Sequence, residues 1–165
     1  MSESGLEILD FHGPEIHGKR ESIARFLLSL REERYSFALE EEDLARSKRM
    51  LIAIDDDGNW IALVGWRQRW WGGVFFLVVH RDHQRQGLGK RLTHELVERV
   101  PKGMLLLLSV DRSNTRARKL YTDAGFATLK RGKQQAFMAL RNTAFFWLGA
   151  PLRIGFLLRS LWNQG

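Results

Sequence analysis

The chain has 165 residues, of which 44% are hydrophobic and 27% are charged, the size and composition of a single globular domain. It contains no cysteine, which excludes a disulfide framework, a thiolate nucleophile and a zinc site with cysteine ligands. Its formal net charge of +7 and isoelectric point near 10.2 favour a polyanionic partner, whether coenzyme phosphates, nucleic acid, anionic lipid or an acidic substrate.

The first part of the chain predicts one strand, two helices and a hairpin. The N-terminal residues carry no basic region and no apolar core follows them, so we predict no secretory signal and expect a cytoplasmic protein. Alternation over residues 6–11 predicts a strand, apolar residues at three- and four-residue steps predict a helix over roughly 16–31, and a shorter helix is predicted over 40–48. Strands at 50–54 and 60–69, joined by an aspartate-rich turn, form the predicted hairpin.

The centre of the chain predicts a crossover between two parallel strands. Gly72 and Gly73 predict a turn, and the apolar run at 74–79 predicts a strand that is buried on both faces. A helix over 89–100 and a second buried strand over 104–110 follow, the order of a βαβ unit, and ligands commonly bind where such strands end. The elements predicted after this unit are a helix and two strands, at 114–124, 126–130 and 135–141.

The loop at residues 84–89 joins the central strand to the next helix and has the features of an anion site. Its successive backbone N–H groups can point into one concavity at the helix N-terminus, where the helix dipole adds about half a positive charge. Gly87 and Gly89 keep side chains away from the donors or allow an unusual φ, and Lys90 and Arg91 add charge. With this charge at the helix N-terminus, pyrophosphate is the natural guest. The spacing fits neither a dinucleotide G-x-G-x-x-G nor a Walker loop.

Gln84, Gly87 and Gly89 also fit the signature [QR]-x-x-G-x-[GA], and with it the sequence resembles the GNAT superfamily of N-acetyltransferases. The resemblance covers roughly residues 6–141. Further residues that match in the family's order and approximate spacing are Leu77, Val79, Asn114, Leu120, Tyr121, Gly125 and Phe126. We therefore expect an acetyltransferase domain at 1–141, of α/β class, with a mixed and mostly antiparallel sheet of six or seven strands, splayed at a central parallel pair and flanked by helices.

The resemblance implies that an acetyl group passes from acetyl-coenzyme A directly to an amine, without a covalent acyl-enzyme and without a metal. The residues it assigns to coenzyme binding are Leu77, Val78, Val79, Gln84, Arg85, Gln86, Gly87, Leu88, Gly89, Lys90, Asn114, Ala117 and Tyr121. Asn114, Ala117 and Tyr121 share one helix face by their spacing. By the resemblance, Tyr121 is the candidate general acid for the departing thiolate. The alternative for Tyr121 is a core aromatic residue packed under the sheet.

The acceptor side of the site is less clearly marked. The central strand carries no glutamate to act as base, so His80 or His83 is a candidate, against the alternative of a surface or loop-fixing histidine. Strand alternation places Arg67 and Arg69 on one face, where we expect one of them, with His80 nearby, to meet an anionic acceptor. The mixture of tryptophan and arginine around them is explained by this alternation, and we find no pattern specific for nucleic acid.

Residues 142–165 lie beyond the resemblance and form an apolar extension. Ile154, Leu157, Leu158 and Leu161 fall at i, i+3, i+4 and i+7, which predicts an amphipathic C-terminal helix, and Pro151 interrupts the apolar run well short of the ~20 residues needed to span a bilayer. The segment 144–162 would pack on its own domain, on a second subunit or on a membrane surface. Two rival functions remain: an acyl-coenzyme A-binding module without turnover, and a basic protein that engages a membrane or another partner on the same fold.

Overall fold

The computed structural model describes residues 6–31 and 44–140. Within them a seven-stranded sheet has the order β1-β2-β3-β4-β5-β7-β6. Its strands are β1 Glu7–His12, β2 Ser47–Ile54, β3 Trp60–Arg69, β4 Gly72–Val79, β5 Leu106–Asp111, β6 Phe126–Arg131 and β7 Gln135–Leu140. The helices are α1 Gly13–His17, α2 Arg20–Arg31, α3 Leu88–Glu98 and α4 Thr115–Asp123. No helix in the described part of the chain is long and apolar enough to cross a membrane.

The sheet is antiparallel except at its centre, where β4 and β5 run parallel. These two strands pair only at Gly73 with Leu106 and at Val74 with Leu107, and then diverge towards their carboxyl ends. We call the space between them the β4–β5 gap, with its closed end at Val74 and its open end at Val79. The predicted mixed sheet, splayed at a central parallel pair, is confirmed.

Two apolar cores cover the two faces of the sheet, as the run of apolar residues in β4 predicts. Phe75 faces the core under α3 and α4, together with Leu92 and Leu96 of α3. Phe76 and Val78 face the other core, under α1 and α2. Since successive strand residues point to opposite faces, Leu77 and Val79 pack on the same side as Phe75.

Three sequence predictions are wrong in detail. The helix expected over 16–31 is two helices, because α1 ends at Gly18, where the N–H of Gly18 bonds to the Glu15 carbonyl and the N–H of Lys19 to the Ile16 carbonyl. Gly72 and Gly73 do not form the turn but are the first two residues of β4. A β-carbon on Gly72 would lie 2.4 Å from the Leu105 carbonyl oxygen, and one on Gly73 would lie 2.6 Å from the Leu106 side chain. These glycines permit the close approach of β4 to β5.

The second predicted helix, at 40–48, is wrong at its end, because Ser47 and Lys48 already belong to β2. The start of that helix lies outside the described residues, as does the predicted amphipathic helix of the extension at 142–165.

Candidate active site

The edge of β4 that faces the gap carries backbone groups at alternate residues. The N–H of His80 bonds to the Ile61 carbonyl on the β3 side at 2.8 Å, and the N–H of Gly73 bonds to the Leu105 carbonyl on the β5 side at 2.8 Å. Because successive N–H groups of a strand point to opposite sides, the groups directed into the gap are those of Phe75, Leu77 and Val79. An extended ligand could add to this edge as a further strand.

The loop after β4 is folded back onto the end of the strand. Arg81–His83 form a single 3₁₀ turn, and the side-chain amide of Gln84 donates to the carbonyl oxygen of Val79 at 3.1 Å. Arg85 has a φ of 66° and Gly87 a φ of 80°, so two residues of this loop lie in the left-handed region. Left-handed residues within a short turn aim neighbouring N–H groups into one concavity, which is the geometry of an anion-binding nest.

The N-terminus of α3 completes this concavity. Gly87 is the N-cap, and the first helical bond runs from the N–H of Arg91 to the Gly87 carbonyl at 3.0 Å. The N–H groups of Leu88, Gly89 and Lys90 precede that bond and have no acceptor within the helix. Together with the dipole of an 11-residue helix, these donors give the concavity the geometry and partial charge that suit an anion, and binding of pyrophosphate there stays a prediction. We call residues 84–90 the cradle loop.

The two glycines of the cradle loop serve different purposes. A β-carbon on Gly87 would meet nothing within 4 Å, so its left-handed backbone is what requires glycine there. Gly89 is helical, and a β-carbon there would lie 3.5 Å from Leu77, Val79 and Leu120, which is ordinary contact. An alanine therefore fits at position 89 and strains the backbone at position 87.

Asn114 begins α4 as its N-cap. Its side-chain oxygen accepts from the N–H of Ala117 at 3.0 Å, so the residue positions the helix that borders the open end of the gap. Asp111, at the end of β5, accepts from both the backbone N–H and the hydroxyl of Ser113, and these bonds lower the pKa of its carboxyl group. The turn between β5 and α4 is thus fixed on the side of the gap opposite the cradle loop.

Tyr121 lies on the inner face of α4, 8% exposed, in contact with Phe75 and Phe126. The ring centroids are 5.7 Å from Phe75 and 5.9 Å from Phe126. Burial raises the pKa of the phenol, which keeps it protonated. Phe75 is the first residue of β4 beyond the paired segment, so Tyr121 lies level with the closed end of the gap.

The predicted acceptor residues are not brought together. Arg67 is opposite Val74 and Arg69 opposite Gly72, so both lie at the closed end. His80 follows β4 at the open end, five residues or about 16 Å along the strand from Phe75.

The two histidines after β4 lie side by side at the open end. The rings of His80 and His83 are 6.1 Å apart, and Nδ1 of His80 is 3.7 Å from a carboxylate oxygen of Asp82. This places both rings near the cradle loop and away from Tyr121. Among residues 6–31 and 44–140, no three His, Asp or Glu side chains are grouped so as to hold a metal ion.

Sequence patterns did not indicate two features of this site. The left-handed Arg85 has no signal, because arginine rarely adopts that conformation. The close approach of β4 to β5 at Gly72 and Gly73 was also missed, because a pair of glycines is equally typical of a turn, which is how we interpreted it. Both features shape the gap, one at each end.

The fold and sequence are similar to those of known acetyltransferases. The model of the acetyltransferase (GNAT) family matches residues 19–126, more than half of the chain. The ribosomal-protein-S18-alanine N-acetyltransferase of Escherichia coli is 22% identical with a TM-score of 0.59, covering 84% of this chain and 94% of its own. A putative acetyltransferase of Acinetobacter baylyi is 19% identical with a TM-score of 0.65, covering 88% and 97%.

A mutant of the spermidine N-acetyltransferase of Vibrio cholerae is also similar, at 17% identity and a TM-score of 0.59, covering 87% of this chain and 96% of its own. At these identities the likeness is one of fold. No curated protein matches the chain in sequence.

Proposed function

Because the chain belongs to the acetyltransferase (GNAT) family, we propose that it transfers an acetyl group from acetyl-coenzyme A directly to the amine of an acceptor. The observation that carries this proposal is the β4–β5 gap with an anion cradle at its open end and a buried tyrosine at its closed end. The family's acyl donor is a long ligand with a phosphate end and a thioester end, which suits a gap with these two ends.

The cradle loop would hold the pyrophosphate through backbone N–H groups and the nearby charges of Arg85 and Lys90. The β4 edge at Leu77 and Val79 would pair with the pantetheine arm, and Asn114 and Ala117 would border it from α4. Arg91 contributes less charge than its position suggests, because its guanidinium is 3.1 Å from the Glu95 carboxylate.

In the proposed reaction the acceptor nitrogen attacks the thioester carbonyl carbon, so that a C–N bond forms and the C–S bond breaks. A backbone N–H on the gap side of β4 would steady the carbonyl oxygen, and Tyr121 would give its phenolic proton to the departing sulfur. The proton lost by the amine passes to a base that is not assigned. The raised pKa of Tyr121 keeps the phenol protonated but also makes it a weaker acid, so the transfer requires the sulfur to develop its negative charge in the same buried surroundings, where burial raises the pKa of a thiol as well.

Calorimetric titration with acetyl-coenzyme A tests this proposal without knowledge of the acceptor. We expect micromolar binding to the unmodified protein and loss of binding in Gly87→Glu, which fills the cradle with a carboxylate. Gly103→Glu is a matched control, because Gly103 has a φ of 83° and open space for a β-carbon but lies beyond the far end of α3. Dephospho-coenzyme A tests whether basic residues near the cradle contact the 3′-phosphate. Absence of binding to the unmodified protein would overturn the proposal.

A binding module without turnover is the second candidate, favoured by one observation: β4 has no carboxylate to act as base. Acetyl-coenzyme A hydrolysis or transfer that depends on Tyr121 would decide for the enzyme.

For the extension at 142–165 we propose packing on its own domain or on a second subunit in preference to a membrane surface. Flotation with anionic liposomes, comparing the full chain with a form truncated after residue 141, distinguishes these. Membrane binding by the full chain alone would contradict the proposal.

A further inference from the structure

Four residues form a row across the α1/α2 face of the sheet, level with the closed end of the gap. Ser47 lies opposite Arg67, Arg67 opposite Val74, and Val74 opposite Leu107. A bulge at Lys48 brings Ser47 onto the face of Arg67, and directly opposite residues of neighbouring strands point the same way. The row therefore crosses from β2 to β5 at the point where the gap begins.

The Ser47 hydroxyl is the unusual member of this row. The residue is 2% exposed, and its Oγ has no hydrogen-bond partner in the described part of the chain. A buried hydroxyl is almost always hydrogen-bonded, because burying it without a partner costs free energy that no contact returns. A buried hydroxyl without a partner in the protein can accept a hydrogen bond from, or donate one to, a group that a ligand brings.

Arg67 lies directly opposite Ser47 on the neighbouring strand and carries a positive charge. Cross-strand neighbours have β-carbons about 5 Å apart, so a guanidinium and a hydroxyl on such a pair can contact one small group together. The guanidinium presents planar paired donors that match the two oxygens of a carboxylate. Arg67 is half-buried, which strengthens such a bond relative to one in water.

Three members of the row, Arg67, Val74 and Leu107, are partly exposed on the side by which an acceptor would have to approach, whereas Ser47 is buried. On the opposite face the closed end of the gap is covered by the packed rings of Phe75, Tyr121 and Phe126. On the α1/α2 face, Val74 and Leu107 are only half-buried. A molecule on this face would therefore contact Arg67 at the beginning of the gap, level with Tyr121, and its carboxylate would insert beside Arg67 to meet the buried Ser47 hydroxyl.

We propose that Ser47 and Arg67 form a carboxylate-binding site that selects small amino acids as acceptors, an inference that rests on the proposed acetyl transfer. Adjacent strands are about 4.8 Å apart, so Arg67 lies roughly 7 Å from the middle of the gap. A carboxylate held there leaves an amine a few bonds away at the thioester. Polyamines, which lack a carboxylate, have no group that these two residues would bind.

The test compares acceptors in matched pairs at saturating acetyl-coenzyme A: glycine with glycinamide, and alanine with alaninamide, with spermidine as a carboxylate-free amine. We expect kcat/KM to be at least tenfold higher for the carboxylate member of each pair. Arg67→Gln should abolish the difference by raising KM, and Arg25→Gln, at an exposed arginine of α2 outside the row, should leave it unchanged. A preference for the amides or for spermidine would overturn the inference, as would equal effects of the two substitutions.

Ser47→Ala gives a second readout that a structural role would not produce. Because the hydroxyl has no partner among the described residues, we expect the unfolding midpoint to stay the same or rise while KM for the carboxylate acceptor rises several-fold. A lower midpoint with an unchanged KM would show that the hydroxyl serves the fold and would overturn the inference. If Arg67→Gln does not fold, Arg67→Lys, which keeps the charge and loses the paired donors, replaces it.

Calorimetry separates this inference from the function on which it rests. Binding of acetyl-coenzyme A with no carboxylate preference among acceptors overturns the carboxylate site alone. If acetyl-coenzyme A does not bind, the proposed function fails, and titration with N-acetylglycine decides the site: binding that Ser47→Ala and Arg67→Gln weaken supports it, and no binding overturns it.

Discussion

The side-chain amide of Gln84 donates a hydrogen bond to the carbonyl oxygen of Val79, five residues earlier in the chain. Val79 is the last residue of β4, and its backbone faces the gap, so this bond fixes the cradle loop to the gap edge. It gives a physical reason for an amide at the first position of the loop signature. A glutamine there donates a hydrogen bond without adding negative charge to the loop.

Gln84→Met should weaken acetyl-coenzyme A binding about five- to tenfold, since a hydrogen bond contributes about 1 kcal/mol and 1.4 kcal/mol is tenfold in affinity. Calorimetric titration measures the change. Gln86→Met is the control: Gln86 also donates to a backbone carbonyl, that of Asp82, but within the loop and away from β4. Equal affinity in the two variants would contradict a specific role for the bond to Val79.

Alanine at the two loop glycines should give opposite results. Gly87→Ala forces a side chain into a left-handed backbone and should lower the free energy of unfolding by about 1 kcal/mol and weaken coenzyme binding. Gly89→Ala adds a methyl group in ordinary contact with Leu77, Val79 and Leu120, and alanine favours the helix, so stability should be unchanged or up to about 1 kcal/mol higher. Thermal unfolding measures both, and a destabilised Gly89→Ala would show that this helix end is packed more tightly than its contacts indicate.

Tyr121→Phe should reduce kcat by about 10²-fold or more while leaving the affinity for acetyl-coenzyme A nearly unchanged. The phenylalanine ring keeps the contacts with Phe75 and Phe126, so the fold should persist. Burial raises the pKa of Tyr121, so its contribution to stability is complete below the unfolded value of about 10 and is lost as pH rises above it. A wild-type level of kcat in the variant would leave Tyr121 as a core residue, the alternative that its burial also fits.

The elements that sequence patterns located best are those with a clear period or a clear terminator. The predicted strand at 60–69 coincides with β3, and the helix expected at 114–124 corresponds to α4 with Asn114 as its N-cap. The cradle loop could be located because its glycines and its position between strand and helix are both local features. Local sequence therefore specified the cradle.

The remaining features depend on contacts between distant residues. The depth of the gap follows from pairing that stops after Val74 and Leu107, and no residue in either strand marks that position. The role of Gly73 depends on the Leu106 side chain, 33 positions later. The buried Ser47 and its neighbour Arg67 are brought together by a bulge whose register the sequence does not specify. The acceptor side was for this reason harder to predict than the coenzyme side.

Asp10 connects the edge of the sheet to α3, the helix that carries the cradle. Its carboxylate oxygens accept from Nε and Nη2 of Arg49 at 2.9 and 2.6 Å, and Nε of Arg99 lies 3.4 Å away. Burial alone would raise the pKa of Asp10, but the hydrogen bond and charge of Arg49, with the charges of His12 and Arg99, outweigh it and lower the pKa. A lowered folded-state pKa means that the stabilisation is present above the unfolded value of about 3.9 and is lost as pH falls below it.

Asp10→Asn should therefore lower the free energy of unfolding by about 1 kcal/mol at pH 7, a value limited by the partial exposure of the pair. Below about pH 3 the difference between variant and wild type should shrink, because the wild-type carboxylate is then protonated too. Urea unfolding at pH 7 and below pH 3 measures this difference. Asp123→Asn is the control, because it breaks an exposed helical ion pair with Lys119 and should change the free energy of unfolding by less than about 0.5 kcal/mol. A difference that persists unchanged at low pH would mean that asparagine disturbs packing at this position and that the charge of Asp10 does not stabilise the fold.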